Sequence, residues 1–352
     1  MPRRVTGPRP IAAAALAGAI LLASPALALD FEPDDLSSAA VEATPIRRFS
    51  LLGNRAGSLT FRGGLRLDGE IESLSGLARL GTDRFVSVTD KGDWALVDLK
   101  RERGRLAGAS VRTAPIAADI MGRRDKIDVD AEGVALAPDG TVLVAFESRP
   151  RVLRFGTDGR RLGSVPIRIP LDELRDNQGI EAIAVAEDGT ALAITEYSID
   201  KDGNAFAAVI AGTRTGVLKV RLTDGFRPTG ATFLPDGDLA LLERSFARLS
   251  LRMRVRRIAR GDIRPGATLD GPALMEAGLS SEIDNMEGIA AHRDERGTVL
   301  TIVSDDNGSF LQRTLLLEFL LPDGAGVPTV PVPRMRPLQA AAAAASRPRS
   351  AP

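Results

Sequence analysis

Glu132, Glu181 and Glu287 each open an apolar run, in "EGVALAPDG", "EAIAVAEDG" and "EGIAAHRDERG", and a second acid closes the run that follows: Glu147, Glu196, and Asp305 with Asp306. Carboxylates gathered in a low-dielectric site repel one another unless a cation joins them or their pKa values rise. Hard oxygen donors of this kind suit calcium. With Asn177, Asn285 and Asp305 close by in sequence, the expected metal ligands are Glu132, Glu181, Glu287, Asn177, Asn285 and Asp305. Lys91, Arg149, Arg244 and Arg248 follow the closing acids and are expected to receive the oxygens of a small anionic substrate or ligand. Calcium lowers the pKa of bound water only weakly, so a carboxylate must help as base, and Glu181 is the candidate catalytic residue. Against this stands a plainer account, in which acids at strand ends cap loop amides or pair with nearby arginines. Asp139, Asp188 and Asp236 differ again, since each precedes the glycine of a hairpin turn and carries no functional weight.

What must position these residues is a repeat. "EGVALAPDGTVLVAFE", "EAIAVAEDGTALAITE", "TGATFLPDGDLALLER" and "EGIAAHRDERGTVLTIVSDD" are one motif, and "SGLARLGTDRFVSVTD" is a more worn copy. The five copies start about 50 to 60 residues apart, a period that signals a repeat architecture. Each copy is a hairpin closed by a turn such as "PDG" or "EDG". Further β-rich runs, "RVLRF" and "SVPIRIP" or "LRMRVRRI" and "ATLDGPAL", bring the unit to about four strands, the make-up of a β-propeller blade. The fold class is therefore all-β, a single propeller of five or six four-stranded blades. Ile46 to Leu67 contains "FSLLG" and "SLTFRGGLRL", which either close the ring against the last unit or form most of a further blade; six blades are favoured. A right-handed β-helix competes, but its coils are shorter and lack this hairpin punctuation. Inner strands are expected to begin at Ser75, Glu132, Glu181, Thr229 and Glu287. In a propeller their starts and the ends of the second strands share one channel mouth, with the "DG" turns on the opposite face.

The ends of the chain read differently. Arg3, Arg4 and Arg9, an apolar run from Ile11 to Leu22 and "SPALA" describe a secretory signal over residues 1–28 with cleavage after Ala28. The paired arginines raise twin-arginine export, though "PRRVTG" lacks the usual continuation. The expected location is the periplasm or the medium, with no transmembrane anchor, because the apolar run falls short of the roughly 20 residues a spanning helix needs. Residues 29–45 form a lead segment, 46–323 the propeller domain, and 324–352 a Pro/Ala/Arg-rich tail too poor in apolar surface to order itself. The absence of cysteine excludes disulfides and a thiol nucleophile. Acidic and basic residues balance at 46 each, and three of the basic ones lie in the leader, so no basic footprint supports a nucleic-acid partner. A monomer is expected. His292 is the only histidine; it falls near the turn face, reads as a loop residue, and rules out a His-based active site or metal cluster. No Gly-x-Ser-x-Gly elbow or phosphate-cradling loop occurs. Trp94 and Tyr197 alone offer little platform for stacking sugars.

"DNMEGIA" followed by "VSDDNGSFLQRTLLLEF", with "NQGIEAIAV", "VDAEGVALAPDG" and "LPDGDLALLERSF", resembles the esterase-like phytase-like domain of exported bacterial proteins over most of Leu59 to Leu320. The resemblance implies a propeller and a phosphoester-hydrolase activity. The family commonly carries an arginine where this chain has Gln178, which puts phytate-like substrates in question. The functions to separate are thus a calcium-dependent hydrolase of phosphoesters or related esters, a non-catalytic propeller that binds a ligand or protein partner through its rim, and a calcium-dependent lactonase.

Overall fold

The computed structural model describes residues 30–323 except 72, 118–125, 171–173, 175–178, 213, 248 and 249. The expected leader at 1–28 and the tail at 324–352 lie outside the described residues, as do Asn177, Gln178 and Arg248. No described helix is long and apolar enough to cross a membrane.

Five antiparallel hairpin units form five sheets arranged as a ring. Blade 1 runs from its inner strand Leu74–Arg79 outward through Arg84–Thr89, Asp93–Glu102 and Arg105–Pro115. Blade 2 comprises Ala131–Leu136, Val142–Phe146, Arg151–Phe155 and Arg161–Val165. Blade 3 comprises Ile180–Val185, Ala191–Ile199, Ala205–Ala211 and Arg214–Val220, with the short strand Thr268–Leu269 added in parallel at its edge. Blade 4 comprises Arg227–Phe233, Leu239–Ala247, Ser250–Ile258 and Ala273–Gly278. In blade 5 the strands Asn285–Asp294, Gly297–Asp305 and Thr314–Pro322 come from the end of the described chain, and the fourth, Leu59–Gly69, comes from its beginning.

That fourth strand corrects the blade count. Six blades were favoured over five, but Leu59–Gly69 closes the ring by pairing antiparallel with Thr314–Pro322, from Leu67 opposite Thr314 to Thr60 opposite Leu320. Ile46–Leu67 contains no long hairpin of its own, so its edges are satisfied by neighbours instead of founding a new sheet. Phe49, Phe61 and Phe319 cluster over the join, with ring centroids 5.0 to 5.5 Å apart. The segment ahead of Ile46 also packs on the ring, with Val41–Ile46 outermost on blade 5 and Ser37–Ala39 outermost on blade 1.

The apolar core lies between blades, with a cluster at each interface and a smaller one around Ile169, Phe206 and Ala208. Trp94, fully buried, meets Phe31 and Phe155 edge-on between blades 1 and 2. Leu143 and Ile183 meet between blades 2 and 3, Leu192 and Leu241 between 3 and 4, Leu242 and Ile302 between 4 and 5, and Val303 and Val97 between 5 and 1. Successive strand residues face opposite ways, so a strand buried on both faces reads as an unbroken apolar run. "VLVAF" does so: Val144 joins one cluster and Leu143 and Ala145 the next. The turns repeat as faithfully. Gly140, Gly189 and Gly237 each adopt positive φ and donate to the carbonyl three residues back, while Asp139, Asp188 and Asp236 each accept an amide from two residues on.

The inner strands share one irregularity. Each pairs regularly with its second strand except for a bulge that leaves out Glu132, Glu181, Thr229 and Glu287 in blades 2 to 5, and falls at Ser75 and Gly76 in blade 1. A bulge re-aims the side chain it carries. The residue after it is Gly76, Gly133, Ala182, Gly230 or Gly288, and at the four glycines the next blade's backbone is in contact. A Cβ on Gly288 would sit 2.7 Å from the Ser75 carbonyl oxygen, and one on Gly230 2.6 Å from that of Glu287. His292 lies within the strand Asn285–Asp294, opposite Val299, and not in a loop as expected. Burial, then the neighbouring Arg79, lowers its pKa to about 4.

Two outcomes follow. Gly288→Ala should destabilise the fold by about 1–3 kcal/mol, the range for overpacking a closed contact, whereas Gly261→Ala, with open space around it, should stay within about 0.5 kcal/mol; urea denaturation distinguishes them. His292 is neutral when folded, and its depressed pKa contributes stability that is complete above about 6.5 and lost as pH falls toward about 4. Over that window His292→Gln should lose less stability than the parent, with Asp294, Arg62 and Arg101 as the other charges beside the ring.

Candidate functional site

The five bulges aim Ser75, Glu132, Glu181, Thr229 and Glu287 to one mouth of the channel, and the second strands end there with Asp90, Glu147, Glu196 and Asp305. The acids divide into two groups with different partners.

The first group is carboxylate against carboxylate. Asp130, Glu132 and Glu147 each offer an oxygen, and the three lie within 4.8 Å of one another. Asp130 is buried and accepts the Ser148 hydroxyl. Glu181 neighbours Glu147, whose negative charge works with burial to raise the Glu181 pKa. Burial first and the neighbouring acids second push Glu132, Glu181 and Glu147 above the ordinary carboxylate range. Asp305 is pushed up to about 6, by burial and by Asp90 and Asp306, against the Asn307 amide that donates to it.

The second group is organised by Arg244. Its guanidinium donates to Glu287 and to the Asn285 side-chain oxygen on blade 5, and reaches Glu196 on blade 3 at 3.3 Å. The Asn285 amide donates to the same Glu287 carboxylate at 2.8 Å. Burial raises the Glu196 pKa while Arg244 opposes the rise, and burial acts against the charge of Arg244 while Glu196 and Glu181 sustain it. Tyr197, half-exposed on the rim, lies against Glu196 and faces Arg227, whose guanidinium carbon is 5.7 Å from the ring centre.

A family model described as Phytase-like, esterase-like activity of phytase, matches residues 70–308. The chain belongs to this family. No curated protein matches the phytase-like chain. Among solved structures it is similar to a gluconolactonase from Xanthomonas campestris, at 16% identity over 83% of this chain and 97% of that one, with a TM-score of 0.41. It is also similar to the Malassezia sympodialis allergen Mala s 1, at 14% identity over 81% and 96% and a TM-score of 0.42. A PQQ-bound aldose sugar dehydrogenase from Streptomyces coelicolor matches at 12% identity over 80% and 99%, with a TM-score of 0.38. At such identities the likeness says nothing of the reaction.

Of the six expected metal ligands, Glu132, Glu181, Glu287, Asn285 and Asp305 stand at the mouth of this phytase-like propeller, and Asn177 lies outside the described residues. They do not form one set, because Glu287 and Asn285 are engaged by Arg244. Asp130 and Glu147 take their place beside Glu132. The signal for Glu147 was present in its position, which repeats that of Glu196, and that for Asp130 in its place two residues before Glu132, which repeats that of Asn285 before Glu287. Of the expected substrate-binding cations, Arg149 is half-exposed and ion-paired with buried Asp128, Arg244 is turned inward, Lys91 is exposed at the end of the first hairpin, and Arg248 lies outside the described residues. Glu243, the acid directly before Arg244, is wholly buried in blade 4, bonded by Arg254 at 2.7 Å and by Arg256 at 2.7 and 2.8 Å.

Removing one member of a buried ion pair strands its partners, at a typical cost of 3–5 kcal/mol. Arg244→Met should therefore destabilise the protein by about 3 kcal/mol in urea denaturation. Glu287→Gln should cost clearly less, because the amide oxygen still accepts from Arg244 and Asn285.

Proposed function

We propose that this phytase-like protein is a calcium-dependent hydrolase of carboxylic esters or lactones, working at the carboxylate-lined mouth of the propeller. The observation that carries the reading is the convergence of Asp130, Glu132 and Glu147 within 4.8 Å, beside a Glu147–Glu181 contact and in a family named for esterase-like activity. Three carboxylates with no histidine or thiol among them fit a hard, oxygen-seeking cation. Asp130, Glu132 and Glu147 would hold it, with Asp305 adding negative charge from across the mouth. When bound, calcium would offset the repulsion of these acids and polarise the ester carbonyl.

The chain's own groups supply the rest. In its ionised form Glu181 accepts a proton from the attacking water as the new carbon–oxygen bond forms, and returns it to the departing alkoxide as the old one breaks. Arg244, fixed by Glu196 and Glu287 and near Glu181, stabilises the ionised form of that base. Substrate charge favours esters over phytate-like polyanions: Arg149 and Arg244 are already paired with acids, and a polyphosphate would meet an excess of carboxylate. Export through the leader read at residues 1–28 would bring such a site to calcium levels that weaker extracellular sites use.

Saturating calcium should raise the melting temperature, since a ligand at 100 times its Kd contributes about 2.7 kcal/mol, and chelator should reverse the shift. Glu132→Gln should abolish most of it. Asp188→Asn, at a turn on the opposite face beside Arg260, should leave it intact. p-Nitrophenyl acetate and a γ-lactone should be hydrolysed with calcium and not with chelator, while p-nitrophenyl phosphate should be turned over far more slowly. A calcium shift without any hydrolysis would leave a calcium-binding propeller that only recognises a ligand; no shift at all would defeat the metal reading.

A further inference from the structure

Beside the carboxylates, between blades 4 and 5, the same face carries a groove of about 540 Å³, within the usual 300–1,000 Å³ of small-molecule sites. Phe246 and Leu251, a cross-strand pair of blade 4, form one side. Leu279 and Leu311 rise from the loops around it, and Ile283 is part of the core beneath. Phe246, Leu279 and Leu311 are 63%, 69% and 78% exposed, so three of the eight large apolar side chains that the described residues leave to solvent line this one groove. The core does not need them, and their grouping at one place asks for an occupant.

The groove wall is bonded to residues of the mouth. Phe246 is two residues beyond Arg244 on one strand, hence on the same face of it. Asp284, on the groove wall, directly precedes Asn285, and its carboxylate accepts the backbone N–H of Asn285 at 3.0 Å and that of Arg313 at 3.1 Å. Asn307, also on the wall, donates its amide to Asp305 at 2.6 Å. A ligand with its polar carbon among the carboxylates would therefore lay any apolar extension along Phe246, Leu279 and Leu311.

Resting on the ester-hydrolase reading, we propose that this groove is the acyl subsite: it takes an unbranched acyl chain of about four to eight carbons and sets the preference for medium-chain over acetyl esters. Each buried methylene contributes about 0.8 kcal/mol, roughly fourfold, and an open groove recovers only part of that. The expected preference in kcat/KM for p-nitrophenyl hexanoate over the acetate is at least tenfold. Leu279→Asp and Phe246→Asp, both at exposed positions, should remove most of this preference and leave acetate turnover unchanged. Equal turnover of the two esters by the parent, or a preference that survives in both folded variants, would overturn the subsite. A second measurement does not depend on turnover. Calorimetry with sodium hexanoate should show binding with a negative heat-capacity change, absent with acetate and weakened at least fivefold by Leu279→Asp. If no ester is hydrolysed, the hydrolase reading fails and this binding result alone decides the groove. Hexanoate binding untouched by Leu279→Asp would place the ligand elsewhere, for example in the groove of about 480 Å³ beside Asp139 and Asp188 on the turn face, and would overturn the proposal.

Discussion

Five inner strands meet round the channel, four of them through glycines at distances that leave no room for a side-chain carbon, and the rest of the molecule is arranged about that contact. Where one inner strand passes the next, glycine at positions 76, 133, 230 and 288 lets carbonyl oxygen and amide approach directly. The strand relieves the crowding by bulging one residue earlier. The bulged residue loses its place in the hairpin ladder and turns toward the mouth. Packing thus selects which position in each unit is free for chemistry, and three of the five positions hold glutamate.

Because the apolar core is divided among the blade interfaces, the centre of the ring is left to polar groups. Two electrostatic solutions coexist there. Around Arg244 the charges are matched inside the protein, and Glu196, Glu287 and Asn285 are held in fixed positions. Around Glu132 they are not, and the acids stay close to one another with raised pKa values. The unmatched half is where an external cation or a shared proton would have most to contribute; the matched half holds the geometry still while it does so.

Much of this was legible in the sequence, and what was not has a common cause. The hairpins announced themselves through Asp-Gly turns and doubly buried strands such as "VLVAF", since those depend on neighbours within a unit. The register of Glu132, Glu181 and Glu287 followed from the same repeat. The blade count did not, because whether Leu59–Gly69 founds a sheet or completes one is decided by the far end of the chain. The division of the acids was hidden for the same reason: Arg244 chooses among carboxylates on blades 3 and 5, and no spacing along the chain tells which will be in reach. Glu243 belongs to the same class, since only the pairing of its strand with Ser250–Ile258 brings Arg254 and Arg256 against it.

The strand Leu59–Gly69 carries a consequence for the order of events in assembly. It is among the earliest of the propeller to be synthesised, yet its partner Thr314–Pro322 is the last. Until those residues arrive, blade 5 lacks its first three strands, and the early strand presents an open edge, the kind of surface that invites pairing with another molecule. Blades 1 to 4 can form their hairpins in turn, but the circle cannot shut until some 250 residues of chain have been threaded into place, so closure is a slow step of high contact order. The same seam makes the two ends of the domain neighbours in one sheet. A permuted chain that joined them and opened at a hairpin turn would keep every strand pair, and would have all of blade 5 available as one contiguous stretch.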